Sequence, residues 1–121
     1  MTCLRFVVEG KPQPKQRARR GSSGSWYTPK ETVAFETLVR NAAFIEMATK
    51  GIGKGWEGPL ELTVSCYYPN ARRFDADNLL KSVSDALNGF VYADDCQIRK
   101  ATVTKDIDRE RPRTEVTVTY G

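Results

Sequence analysis

Residues 74–97 read FDADNLLKSVSDALNGFVYADDCQ, and the way this stretch folds constrains everything around it. Its middle carries a helical period. At about 100° per residue, Leu79, Leu80, Val83, Ala86 and Leu87 fall on one apolar arc. Asp77, Lys81, Ser84, Asp85 and Asn88 fall on the opposite side. The spacing predicts a helix beginning near Asp77 or Asn78 and ending near Gly89, a natural C-cap. Such a helix lays its apolar back on a sheet and turns Asp77 and Lys81, one turn apart, to solvent.

The sheet is legible on both sides of this helix. Residues 59–68, PLELTVSCYY, alternate: Leu60, Leu62, Val64, Cys66 and Tyr68 share one face. Period-two alternation of this kind predicts a half-buried strand. Residues 3–9, CLRFVVE, and the segments 98–106 and 114–120 read as three more strands, with the charged turn DIDRERPR between the last two. A first helix is predicted from Thr28-Pro29-Lys30-Glu31 to about Lys50, with Thr28 capping, Pro29 in the first turn and Glu31 completing a capping box. Its expected core stripe is Phe35, Leu38, Val39, Ala42 and Ile45; a dimer face is the alternative for part of it, which the sequence does not separate from core. Gly51, Gly53 and Gly55 end it. The order β-α-β-α-β-β defines an α+β fold: a single mixed or antiparallel sheet of about four strands with two main helices.

With 121 residues, the chain reads as one domain spanning 1–121. A hydrophobic share of 40% is enough for a packed core, and no apolar run is long enough to span a membrane. The first residues lack the pattern of a signal peptide, so the expected compartment is cytoplasmic. Three cysteines without a C-x-x-C pair argue against a disulfide framework or zinc ribbon, and Cys3 and Cys66 are expected as buried small hydrophobes. The chain has no histidine. That removes the commonest general base and the histidine-dependent triads, leaving carboxylates, lysine and a hard metal ion for any hydrolytic chemistry.

Charge is distributed unevenly. Residues 10–30 hold Lys11, Lys15, Arg17, Arg19, Arg20 and Lys30 and no acid, whereas residues 75–95 hold five aspartates and one lysine. A basic arm beside a local acidic cluster suits a polyanion gripped broadly and met by cations at one point. Residues 11–25 are expected as a flexible, phosphate-gripping loop. Trp26 and Tyr27 at its end are expected to anchor it to the fold, with base stacking as the other use of such side chains.

The acids come in two pairs. If residues 73–77 are extended, Asp75 and Asp77 point to the same side, roughly 6.6 Å apart at about 3.3 Å per residue. Two carboxylates so placed converge on one Mg2+, which favours one or two carboxylates plus waters and phosphate oxygens. Asp94 or Asp95 would supply a third acid; spacing does not choose between them. A phosphodiester repels its nucleophile, so hydrolysis needs cations to neutralise the phosphate and activate water. Lys81 would add charge at the scissile phosphate. Asp85, on the helix flank, is expected in a salt bridge.

DADNLLKSVSDALNG followed by ADDCQI resembles the D-x-D-N-x-x-K…DAL-N/K-G…DD-x-Q-I pattern of RusA-type Holliday-junction resolvases. GKPQPKQRARR followed by WYTPKET resembles the G-x-P-x-P-K-x-R-x-R…YTP stretch of that family, with Arg-Ala-Arg-Arg where many members carry a proline. The resemblance implies a Mg2+-dependent endonuclease, with Mn2+ as a substitute, that resolves four-way DNA junctions as a homodimer. Such enzymes serve DNA recombination and repair, and phages and prophages often carry them. It implies Asp75, Asp77 and Asp95 as metal-binding acids and Lys81 as the active-site lysine, with Asn78 and Asp94 secondary. Lys15, Arg17, Arg19, Arg20, Arg72 and Arg73 are the expected phosphate contacts. A non-catalytic junction-binding module and a nuclease for flaps, single strands or RNA are the competing expectations.

Overall fold

A computed structural model describes residues 2–71, 73 and 75–121. Eight elements build it: β1 (Cys3–Glu9), β2 (Arg19–Arg20), β3 (Trp26–Tyr27), α1 (Lys30–Lys50), β4 (Leu60–Tyr68), α2 (Ala76–Leu87), β5 (Ile98–Ile107) and β6 (Arg113–Tyr120), with a 3-10 turn at Asp95–Gln97. The main sheet has the order β1-β6-β4-β5. β6 is antiparallel to both β1 and β4, and β5 runs parallel to β4, so the sheet is mixed as expected. The short β2–β3 ribbon is an addition, because two-residue strands carry no alternation for a sequence reading to detect.

Alternation places the core. Leu60, Leu62, Val64, Cys66 and Tyr68 of β4 are buried, and so are Leu4, Phe6 and Val8 of β1 and Val116, Val118 and Tyr120 of β6. Burial pushes the Cys66 thiol up to about 11, against a hydrogen bond with Thr114. Cys3 is half-buried at the sheet edge.

Two details of α1 differ from expectation. Thr28 makes no cap. The carbonyl of Pro29 accepts the first helical N–H groups, from Thr32 at 3.1 Å and Val33 at 3.2 Å, because Pro29 itself holds the N-cap position in an extended conformation. The buried stripe is Thr32, Phe35, Val39, Ala43 and Met47, while Leu38 and Ile45 are exposed. Phe35 and Val39 are buried as expected and Ala42 packs against the core, so the stripe is rotated only partway, toward β1 and α2. At the far end Gly51 takes a left-handed conformation, φ 69°, and Ile52 N–H reaches back to the Met47 carbonyl at 2.8 Å.

α2 buries Leu79, Ser82, Val83, Ala86 and Leu87. It follows β4 and precedes the parallel β5, so it runs as the crossover between them. Asp75 and Asp77 therefore stand at its N-terminal end, and Asp94 and Asp95 follow its C-terminal end.

Candidate metal and DNA site

Asp75 occupies the N-cap of α2 in an extended conformation, and Asp77 lies in the first turn. The helix begins at Ala76, two residues earlier than needed for an extended 73–77 segment, so the two acids bracket a helix start and do not share a strand face. N-cap aspartates ordinarily use the carboxylate to hold the first N–H groups. Here the main-chain carbonyl of Asp75 does so, accepting from Asn78 at 3.1 Å and Leu79 at 3.3 Å, and the carboxylate is left over. Asp75, Asp77 and Lys81 are all exposed. No ion pair joins Asp77 to Lys81, and none engages Asp75 or Asp95, among the described residues.

The second acid pair is held by a network of its own. The Tyr92 ring is buried, and its hydroxyl donates to the Ser84 carbonyl on α2 at 2.7 Å. Burial first, then the charges of Asp95, Asp85 and Asp94, push the Tyr92 phenol far above its ordinary range. Asp94 and Gln97 form a capping box across the 3-10 turn: the Gln97 amide oxygen accepts from Asp94 N–H at 2.8 Å. A hydrogen bond from the Cys96 thiol holds the Asp94 carboxyl below its usual range. The same interaction raises Cys96, keeping that exposed thiol protonated. Asp94 is therefore engaged in shaping the loop, and Asp95, exposed like it, contributes to holding the Asp94 carboxyl low.

Among the described residues no three acidic or cysteine side chains converge closely enough to hold a metal ion. The donor set suits a hard cation: the oxygens of Asp75, Asp77 and Asp95 are exposed carboxylates, in no ion pair among the described residues, and a hard ion requires oxygen ligands. Within one chain, however, the two pairs remain at opposite ends of α2.

The basic arm divides into two parts. Pro12 and Pro14 are buried, and Ser82 Oγ of α2 donates to the Gln13 carbonyl at 2.7 Å. Lys15 N–H donates to the Asn78 carbonyl at 2.8 Å, and Gln16 exchanges hydrogen bonds with the buried Thr32 hydroxyl of α1 at 2.9 and 3.2 Å. The Lys15 ammonium pairs with Glu36 at 2.9 Å and Asp85 at 3.2 Å. Burial lowers its pKa, and the two carboxylates outweigh that and raise it above the usual lysine value. Lys15 thus ties the arm to both helices, and Asp85 sits in its expected salt bridge. Beyond it, Arg17, Asn78 and Lys81 line a hollow of about 290 Å³.

Arg19 and Arg20 are exposed on β2, and Arg73 is exposed just ahead of Asp75. Arg72 lies outside the described residues. The expected anchoring of Trp26 and Tyr27 does not occur. Trp26 is 69% exposed and Tyr27 49%, because the ribbon they sit on has no layer packed over it. Composition did not flag Gln97, whose side-chain amide also donates to the carbonyls of Trp56 at 2.7 Å and Gly58 at 2.8 Å.

An α+β domain with exposed carboxylates at a helix start, a lysine one turn on and exposed guanidinium groups has the layout of a protein that meets polyanions through cations. The chain belongs to the RusA endodeoxyribonuclease family: the family model described as "Endodeoxyribonuclease RusA" matches residues 9–119. It is 33% identical over 110 residues to the "Crossover junction endodeoxyribonuclease RusA" of Escherichia coli (strain K12), covering 89% of this chain and 88% of that protein. The similarly named protein of Enterobacteria phage 82 is 32% identical over 110 residues, with the same coverage. The "Uncharacterized protein YqaN" of Bacillus subtilis (strain 168) is 28% identical over 142 residues, covering 98% of this chain and 96% of that protein.

Proposed function

We propose that this chain is a divalent-metal-dependent endodeoxyribonuclease that resolves four-way DNA junctions by paired cuts. It would act as a homodimer, inside the cell, in recombination and repair, with Mg2+ as its ion and Mn2+ as a substitute. The observation that carries this reading is the match to the RusA family along residues 9–119, a span that includes Asp75, Asp77, Lys81 and Asp95.

Asp75, Asp77 and Asp95 would hold the ion. A divalent cation there supplies charge neutralisation at the phosphate and an activated water. Lys81 directs an ammonium toward the scissile phosphate across the hollow it shares with Arg17. Asn78 is fixed by the Lys15 N–H on its carbonyl, which leaves its side-chain amide to orient a phosphate or water. Arg17, Arg19, Arg20 and Arg73, with Arg72 by its place in the sequence, grip the backbone on either side. Lys15 would meet phosphate only in competition with Glu36 and Asp85.

The separation of the acid pairs supports the homodimer. A second copy related by a two-fold axis can bring the Asp95 end of one chain to the Asp75–Asp77 end of the other. The same axis matches the two-fold symmetry of a four-way junction and gives two identical sites on opposing strands. Val33, Leu38, Phe44 and Ile45 leave apolar surface on α1 of the kind association buries.

The deciding experiment incubates the protein with four-way junction, duplex, flap, single-stranded DNA and RNA in Mg2+ or Mn2+. Paired nicks in the junction, and far fewer elsewhere, are expected. Binding without nicks under either ion would reduce the protein to a binding module. Preferential cutting of flaps, single strands or RNA would move the substrate class.

A further inference from the structure

The β2–β3 ribbon is built for something other than packing. β2 and β3 pair antiparallel, with Arg19 opposite Tyr27 and Arg20 opposite Trp26. The turn between them is tight: Gly21 N–H donates to the Ser25 carbonyl at 2.8 Å, and Gly24 N–H to the Gly21 carbonyl at 3.0 Å, with Gly24 at φ 87°. Successive residues of a strand point to opposite faces, and directly opposed residues share a face. Each face of the ribbon therefore carries one aromatic ring and one guanidinium: Trp26 with Arg20, and Tyr27 with Arg19. All four side chains are exposed.

The ribbon leaves two aromatic rings uncovered side by side on a two-strand hairpin, Trp26 69% and Tyr27 49% exposed, so neither ring serves the core. A planar guanidinium beside an uncovered ring matches the chemistry of a nucleobase, which offers a π-face for stacking and a phosphate close by. Beside Tyr27 lies a hollow of about 270 Å³, lined by Arg19, Tyr27, Thr28, Pro29, Lys30 and Glu31. Intact duplex hides its base faces, whereas a branch point leaves them at the ends of stacked arms.

We infer that the β2–β3 ribbon is a nucleobase-stacking platform. Trp26 and Tyr27 take base faces exposed where branched DNA opens, and Arg19 and Arg20 hold the adjoining phosphates. The branched substrate is the one proposed above, and the inference rests on that reading. It adds a site that discriminates open from closed DNA, apart from the site that cuts.

The test is a binding measurement in Ca2+, with four-way junctions and duplexes of equal length, some carrying 2-aminopurine beside the branch point. The parent protein is expected to change 2-aminopurine emission at the branch point and not within the duplex arms. Trp26→Ala with Tyr27→Ala is expected to weaken junction binding about tenfold or more, the scale of at least one base stack removed, and duplex binding less than twofold. Trp26→Phe restores much of the loss. Equal losses on junction and duplex, or no loss on either, overturn the platform, as does unaltered emission with the parent protein, which needs no variant. Because nothing is cut in this assay, a protein that fails to nick junctions yet loses selectivity in these variants would sink the nuclease reading and leave the platform standing.

Discussion

The side-chain amide of Gln97 donates to the carbonyl of Trp56 at 2.7 Å, joining the loop that carries Asp94 and Asp95 to the glycine-rich segment ahead of β4. The same amide reaches Gly58 at 2.8 Å, and Ala93 N–H meets the Trp56 carbonyl at 3.0 Å. The Trp56 ring in turn packs edge-on against Tyr120, with centroids 5.3 Å apart. Asp95 thus hangs on a loop whose position is set by one amide and braced by the end of β6.

Gln97→Ala should therefore cost both stability and cutting. Three hydrogen bonds disappear, each worth about 0.5–1.5 kcal/mol net of exchange with water and toward the low end where the site is exposed, so a loss of about 2 kcal/mol is expected. For a domain of this size that lowers the melting temperature by roughly 5–10 °C. Junction cleavage should fall at temperatures where the variant is still folded. Unaltered melting and an unaltered rate would show that the clamp is dispensable.

Asp77→Asn should abolish cutting while junction affinity stays within about threefold, because losing one negative charge does not repel DNA. If two chains share each site, mixing Asp77→Asn with Asp95→Asn protein should recover nicking on one strand only, since one composite site in a mixed dimer escapes both changes. Each variant inactive alone and also in the mixture would argue that every chain builds its own site.

Arg17, Arg19 and Arg20 are exposed and carry no ion pair among the described residues. Replacing all three with glutamine should weaken junction binding and lower the salt slope by about one unit for each phosphate no longer neutralised. Lys15→Met should behave differently. It leaves Glu36 and Asp85 without their shared cation, so its main effect is a stability loss of about 1–2 kcal/mol, between exposed and buried ion pairs. A salt slope that drops in Lys15→Met with unaltered melting would reverse these roles.

Acid should loosen the β5–β6 turn first. The Arg113 guanidinium beside Asp108 holds that carboxyl below its ordinary value of 3.8, helped by the N–H groups of Arg111 and Glu110. Arg111 does the same to Glu9, against an ordinary value of 4.5. A carboxyl depressed on folding contributes stability fully above its unfolded value and loses it as pH falls through the folded one. Melting temperature should therefore decline below about pH 4, with a smaller decline in Asp108→Asn. An identical acid profile in that variant would remove Asp108 from the explanation.

Strand positions were readable because alternation survives wherever one face is buried, as in Leu60, Leu62 and Val64. α1 was readable in extent and misread in phase. Leu38 and Ile45 have the right spacing for a core, and only tertiary packing shows that Ala43 and Met47 hold that role. Spacing also suggested that the acid pairs meet. It did not reveal that a parallel β4–β5 pairing sends α2 back along the sheet and leaves the pairs at its two ends. Side chains that act through carbonyls, such as Gln97 and Ser82, leave no compositional trace, because their partners are main-chain atoms common to every residue.

The place of β6 in the sheet sets a timetable for synthesis. When the ribosome has reached Pro112, the chain already contains Asp75, Asp77, Lys81 and Asp95, yet β1 has no partner and β4 lacks its central neighbour. Pairing a strand from the start of the chain with one near its end is a late, long-range event in folding. Until the eight residues Arg113–Tyr120 have been made, β1 and β4 have no strand to join them, and the main sheet cannot close.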